Sequence, residues 1–330
     1  MAPRASRALP RRALLAFLAL LIVIGVPLLL APWFGVGGQP GAPVTITVAK
    51  GASLAIVSLD LEKAGLIDAQ RQFRLLARLF GGRDPVQAGT YKLMPGDPWR
   101  TYLRTMQKGA VERHALTITE GMPSVLVAEK LRAETLLSGD VVTPPEGSVL
   151  PETYDFTPGE PRAKVLARMQ AAMDKTVADL WPGRSPRSVV KTPADAITLA
   201  SIVEKETGKA AERRQVAGVY SNRLAKGMKL DADPTVIYPI THGKPLGRRI
   251  RRSELAADTG YNTYLRPGLP KGPIANPGRA SIAAVLDPAP TDALFFVADG
   301  SGGHVFATTL DEHNANVAKW YALRRQRGEM

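Results

Sequence analysis

Two glutamates stand close together in the run Leu199-Ala200-Ser201-Ile202-Val203-Glu204-Lys205-Glu206-Thr207. The apolar spacing of the run predicts a helix over about 193–207. With Ile202 set at zero and about 100° of turn per residue, Glu206 falls at about 40°, between Ile202 and Leu199 at about 60°. Val203 lies at about 100°, and Glu204 at about 200°, on the side read as facing solvent. Apolar surroundings disfavour an ionised carboxylate, so Glu206 is expected to keep its proton to higher pH than an ordinary glutamate. A carboxyl of that kind can serve as a general acid. The plainer alternative is a helix-end glutamate paired with a basic neighbour, for which Lys205, Lys209, Arg213 and Arg214 are all within reach.

Other chemistry-bearing groups follow. Glu212 borders the apolar face of a second helix, expected over about 211–226 and set by Val216, Val219, Tyr220 and Leu224. At that helix start it can equally be a charge that favours the helix dipole. Asp231-Ala232-Asp233-Pro234-Thr235 reads as a turn, the usual setting of Asp before Pro. Tyr261-Asn262-Thr263-Tyr264 gathers amide and aromatic groups that suit a sugar ring, or simply an ordinary loop packed by two tyrosines. Asp299-Gly300-Ser301-Gly302-Gly303-His304 reads as a flexible hairpin turn. The chain has no cysteine, which excludes disulfides, thiolate metal sites and a cysteine nucleophile. Its four histidines are scattered without an HExxH pair, so a histidine-rich metal site is not expected. No GxxxxGK[ST] phosphate loop and no GxSxG elbow occurs.

The elements that must carry these groups mix strands and helices without regular alternation, which favours an α+β fold. Residues 13–31 form a 19-residue uncharged apolar run. At about 1.5 Å per residue that run is close to the hydrocarbon thickness of a bilayer. Arg4, Arg7, Arg11 and Arg12 precede it without an acidic residue, so a cytoplasmic tail (1–12), an uncleaved transmembrane anchor (13–34) and an external bulk are expected. A cleavable signal peptide is the competing reading. Residues 35–43 (GVGGQPGAP) read as a linker. A strand at 44–48, helices at 52–65 and 69–80 and a strand at 88–93 form a small βααβ unit, followed by a helix near 98–108 and a strand at 113–118. Further on come a helix over 161–182, strands at 293–298 and 304–307, and a terminal helix from about 311. The net charge of +13 suits an anionic polymer or lipid surface. Nucleic acid is not expected, since no nucleic-acid-binding motif accompanies the charge.

Four long runs, LASIVEKETG (199–208), LDADPTVIY (230–238), YNTYLRPGLPKGPIANPG (261–278) and FFVADGSGGHVFATTLDEHN (295–314), occur in fixed order. Together they resemble the YceG-like endolytic murein transglycosylase family, and EGMP (120–123) and LPETY (150–154) resemble its weaker segments. The family often has glutamine where this chain has Asp231, and commonly aspartate where LPETY has glutamate. The resemblance implies a LysM-like domain over 44–110, with AGTYKL as its strand, and an α+β catalytic domain over 111–330. It implies cleavage of the β-1,4 bond between N-acetylmuramic acid and N-acetylglucosamine in nascent peptidoglycan, with formation of 1,6-anhydro ends and no metal or cofactor required. The family's catalytic glutamate is the second acid of the VEKET run, which is Glu206 here. Tyr261, Asn262 and Asp233 are expected to orient sugars or stabilise the oxocarbenium-like state, and Glu212 and His304 complete the expected substrate-binding set. The implied setting is the periplasmic side of the inner membrane, with peptidoglycan synthases as partners. Two rival readings are a hydrolase pairing Glu206 with Asp233 or Glu212, and a non-catalytic wall-binding scaffold.

Overall fold

The computed structural model describes residues 11–329. Most of the arginine-bearing tail expected at 1–12 therefore lies outside the described residues. The chain divides into two compact units, one ending at His114 and one beginning at Ala115, so that the boundary falls after the first residue of a strand carried otherwise by the second unit. The architecture is mixed α+β, with three separate two-stranded sheets among the described residues.

The first unit begins with α1 (Arg11–Leu30), an apolar helix long enough to cross a membrane. A single 3-10 turn, Ala31–Phe34, follows it. Trp33 on that turn is buried in the unit's own core, within ring contact of Phe73 and Phe80 at 6.4 Å each. Residues 35–43, expected as a linker, lie against the loop before α4: a Cβ on Gly38 would approach the Gly96 carbonyl to 2.5 Å. Then come β1 (Val44–Val48), α2 (Leu54–Lys63), α3 (Gln70–Phe80), β2 (Gly89–Leu93) and α4 (Trp99–Gln107). The strands pair antiparallel from Val44↔Leu93 to Val48↔Gly89. Alternation decides the faces: Ile46, Val48, Tyr91 and Leu93 point into a core with Leu61, Phe73 and Tyr102.

The second unit comprises β3 (His114–Thr117), α5 (Ser124–Ala133), β4 (Thr153–Phe156), α6 (Arg162–Leu180), α7 (Pro193–Glu206), α8 (Arg213–Ala225), α9 (Asp233–Thr241), α10 (Arg252–Leu255), α11 (Arg279–Leu286), β5 (Phe295–Ala298), β6 (His304–Ala307) and α12 (Leu310–Gln326). One core joins α7, α8 and α11 through Leu199, Ile202, Val203, Val216, Tyr220, Ile282 and Val285. A second gathers β3, α5, β4 and α6 around Leu116, Val127, Phe156 and Met169. α7 starts where Thr192 and Asp195 cap each other's backbone N–H groups and Pro193 supplies a helical φ. It stops at Glu206 because Thr207 turns extended.

Two expectations need correction. The segment 231–235 is not only a turn: Asp231 adopts a left-handed φ of 50°, and α9 then begins at Asp233 with Pro234 in its first turn. Proline lacks only an N–H that a helix start leaves free anyway. Glu204 does not face solvent. Its side chain is 5% exposed, because the loop ahead of α11 folds over it. Its carboxylate accepts the Gly278 N–H at 2.9 Å and lies 3.5 Å from Arg213.

Candidate active site

Glu206 ends α7 and opens into a cleft of about 550 Å³. The cleft wall is drawn from five segments: Tyr220 and Arg223 of α8, Leu230 and Asp231 of the following loop, Asp233 of α9, Tyr264, and Phe295 and Phe296 of β5. Leu310 and His313 of α12 close it. The Glu206 side chain is only partly exposed, and desolvation at the cleft wall pushes its pKa up to about 7. The Tyr220 hydroxyl donates a hydrogen bond to it and Arg223 contributes positive charge, both favouring the ionised form. The nearby Asp233 charge acts the other way and adds to the rise. A carboxyl so poised can both give and retake a proton near neutral pH.

The surroundings of Glu206 are themselves fixed. Tyr220 is fully enclosed, and its hydroxyl is held far above its ordinary pKa by burial and then by the Glu206 charge, so it remains a donor. Tyr264 donates to Asp233 Oδ1 at 2.6 Å. Arg223 gives its guanidinium to three backbone carbonyls, Leu294 at 2.6 Å, Leu230 at 2.9 Å and Lys229 at 3.2 Å, and to Asp231 at 3.1 Å. It also covers the Phe295 ring at 5.1 Å, with His313 stacked 5.2 Å from that ring. Burial and the Arg223 charge lower the His313 pKa, which favours a neutral imidazole.

Of the five residues expected beside Glu206, Asp233 alone lines this cleft. His304 and Glu212 pair with each other, Nδ1 to Oε2 at 2.8 Å, and Glu212 also accepts the His304 N–H at 3.2 Å. They stand one layer behind: the His304 ring meets Phe296 edge-on at 5.1 Å, and Phe296 meets Tyr220 at 5.8 Å. Asn262 is buried and spends its amide on the Leu255 and Ala257 carbonyls and the Tyr264 N–H, so it shapes the loop that presents Tyr264. Tyr261 packs on Tyr238 at 4.8 Å under the Lys271 ammonium, part of a separate cluster. In that cluster Tyr238 bonds the half-buried Glu146, whose pKa is raised by desolvation, and lines another cleft of about 510 Å³.

Tyr264 belongs to the run expected to suit a sugar ring, but the sequence singles out neither Tyr220, which reads there as one more apolar position of α8, nor Arg223. The signal for both was present only as position: Tyr220 and Arg223 lie three apart and so share a face of α8. Among the described residues no three histidine, aspartate or glutamate side chains gather to hold a metal ion.

The YceG-like family model matches residues 46–319. An endolytic murein transglycosylase of Bacillus subtilis (strain 168) is 28% identical over 316 residues, covering 86% of this chain and 86% of that protein. One from Streptococcus pneumoniae serotype 2 (strain D39 / NCTC 7466) is 28% identical over 325 residues, covering 84% of this chain and 58% of that longer protein. A crystal structure of a yceG-like protein from Listeria monocytogenes superposes with a TM-score of 0.52 at 27% identity, covering 84% of this chain and 99% of that one. With the match running through the small unit and the cleft alike, this chain belongs to the YceG-like family.

Proposed function

We propose that this protein is a membrane-anchored endolytic peptidoglycan lytic transglycosylase in which Glu206 performs both proton transfers. The observation that carries the reading is one half-buried glutamate with a pKa of about 7 at the wall of an open cleft. The Glu206 proton goes to the glycosidic oxygen as the bond to C1 of N-acetylmuramic acid breaks, and N-acetylglucosamine leaves with its 4-hydroxyl restored. The Glu206 carboxylate then takes the proton of the substrate's own 6-hydroxyl, whose oxygen closes on C1 to give the 1,6-anhydro sugar. No water is consumed and the acid ends protonated. Because the nucleophile is intramolecular, proximity supplies what a second carboxylate gives a hydrolase. Tyr220 holds the Glu206 carboxylate between the two transfers, and Asp233, oriented by Tyr264, faces the developing positive charge.

In the same reading α1 is the anchor, with the N-terminus cytoplasmic and both units in the periplasm. The small unit, over 44–110, is a LysM-like accessory that holds glycan for a catalytic domain over 111–330. The anchor keeps the enzyme beside nascent strands and the synthases that make them. A second reading, a hydrolase pairing Glu206 with Asp233, draws support from the presence of both carboxyls in one cleft.

Mass spectrometry of fragments released from uncross-linked glycan separates the two. Anhydro ends are expected; reducing ends would establish the hydrolase instead. Glu206→Gln should lower the rate by at least about 10²-fold, the low end for general acid–base catalysis. Glu204→Gln should retain most activity, because Glu204 is not among the residues lining the cleft, the amide oxygen still accepts the Gly278 N–H, and Arg213 keeps Glu120 as a partner at 2.8 Å. An active Glu206→Gln enzyme would refute the assignment.

A further inference from the structure

The face of α3 turned away from the core carries an unusual pairing of residues. Phe73, Leu76 and Ala77 point inward. Leu75 and Leu79 are 45% and 63% exposed, and Arg71 and Arg78 are exposed beside them; Phe80, on the core-facing side at the end of the helix, is still 57% exposed. Among the described residues no carboxylate pairs with Arg71, Arg74 or Arg78. Large exposed apolar side chains interleaved with unpaired arginines suit neither a core nor an ordinary solvated helix. They suit the boundary between lipid headgroups and acyl chains, where the leucines enter the apolar layer and the guanidinium groups meet phosphates.

The position of α3 supplies an independent argument. The Gln72 amide donates to the Leu29 carbonyl, in the last turn of α1, at 2.7 Å. At its other end, Phe80 contacts Trp33. The apolar span itself runs over Leu15–Phe34. Both ends of α3 are thus tied to the final residues of that span, with Trp33 buried between them rather than set on a free linker. A rigid junction of this kind fixes the height of α3 at the level where the span leaves the bilayer.

We propose that α3 is an interfacial helix that seats the small unit on an anionic lipid surface through Leu75, Leu79 and the three arginines. The inference rests on the reading of α1 as a membrane-spanning anchor. The absence of cysteine allows single labels. The full chain carrying Leu79→Cys or, separately, Leu28→Cys is labelled with an environment-sensitive fluorophore and reconstituted into vesicles of zwitterionic lipid with about one third phosphatidylglycerol. Lipids spin-labelled near the headgroup should lower emission at position 79 at least about twofold, while aqueous iodide has little effect. Combining Arg71→Glu, Arg74→Glu and Arg78→Glu should reverse that preference. Lipid quenching at position 28 without quenching at 79 would overturn the interfacial helix while leaving the anchor intact, whether iodide reaches 79 or another protein surface covers it. Absence of lipid quenching at 28 would overturn the anchor, and the inference with it. Quenching at 79 undiminished by the triple variant would refute the role of the arginines. Leu75→Cys, on the same face, repeats the test with a second label.

Discussion

At Glu206 the same burial that prepares an acid also ties the stability of the fold to pH. Its pKa stands at about 7 against an ordinary 4.5, so the folded chain binds the proton more tightly than the unfolded chain does. The resulting stabilisation is complete below the unfolded pKa and is lost as pH rises through the folded one. A tenfold change in proton affinity is worth about 1.4 kcal/mol, so up to about 3 kcal/mol is at stake between pH 4.5 and 7. Glu206→Gln removes the titration while keeping the shape. Urea unfolding at pH 5 and pH 8 should show the variant gaining on the wild type by roughly 2–3 kcal/mol at the higher pH. An equal difference at both pH values would mean that Glu206 is not held protonated by the fold. The apolar face that carries Glu206 was legible in the run 199–207 because it repeats along one helix. The burial of Glu204 was not, because a helical wheel records nothing of the loop at 276–278 that closes over its other side.

Among the elements, α8 does the most to assemble the cleft. Its inward face packs into the core, and Tyr220 and Arg223 continue that face to the cleft wall. Arg223 ties α8 to the loop at 229–231 and to the start of β5, with a planar fork that satisfies three carbonyls and a carboxylate together. Lysine has the charge but not the fork. Arg223→Lys should therefore cost about 1–2 kcal/mol in thermal unfolding through partly buried carbonyls left unpaired, and should slow glycan cleavage more than it weakens glycan binding. A variant with wild-type stability and rate would show that the 229–231 loop and β5 hold their positions without it. Periodicity made α6, α7, α8 and the β5–β6 hairpin readable from sequence. α9 was obscured because Asp-Pro suits a turn and a helix start equally, and only the burial of Thr235 and Val236 in the interior distinguishes the two. The partners of Arg223 are mostly backbone carbonyls, one of them remote in sequence, and these leave no residue-type signature at all.

For the whole molecule, the packing is divided. The core of the first unit draws on residues between Leu30 and Val111, and the cores of the second on residues from Leu116 onward. No hydrophobic residue is shared between the described cores of the two units, so each holds the means of its own folding. A fragment comprising residues 115–330 should unfold cooperatively and keep residual cleavage of soluble glycan, with a catalytic constant within about tenfold of the intact protein and a weaker apparent affinity. Circular dichroism and product release measure these separately. Cooperative folding with no cleavage would place an indispensable group in the small unit.

Glu206 is the final residue of α7, and the direction of the chain at that point has an electrical consequence. The peptide dipoles of a helix add up, and their negative end lies where the last carbonyls go unpaired, worth about half an elementary charge. A carboxylate formed there meets that partial charge at close range, whereas a neutral carboxyl does not. The penalty is about 0.3–1 kcal/mol where solvent reaches the group, and up to about 2 kcal/mol where it does not. It belongs to the backbone and needs no neighbouring side chain. The field of α7 is present whether or not anything occupies the cleft, so it favours the protonated carboxyl before a substrate arrives as well as after a product leaves.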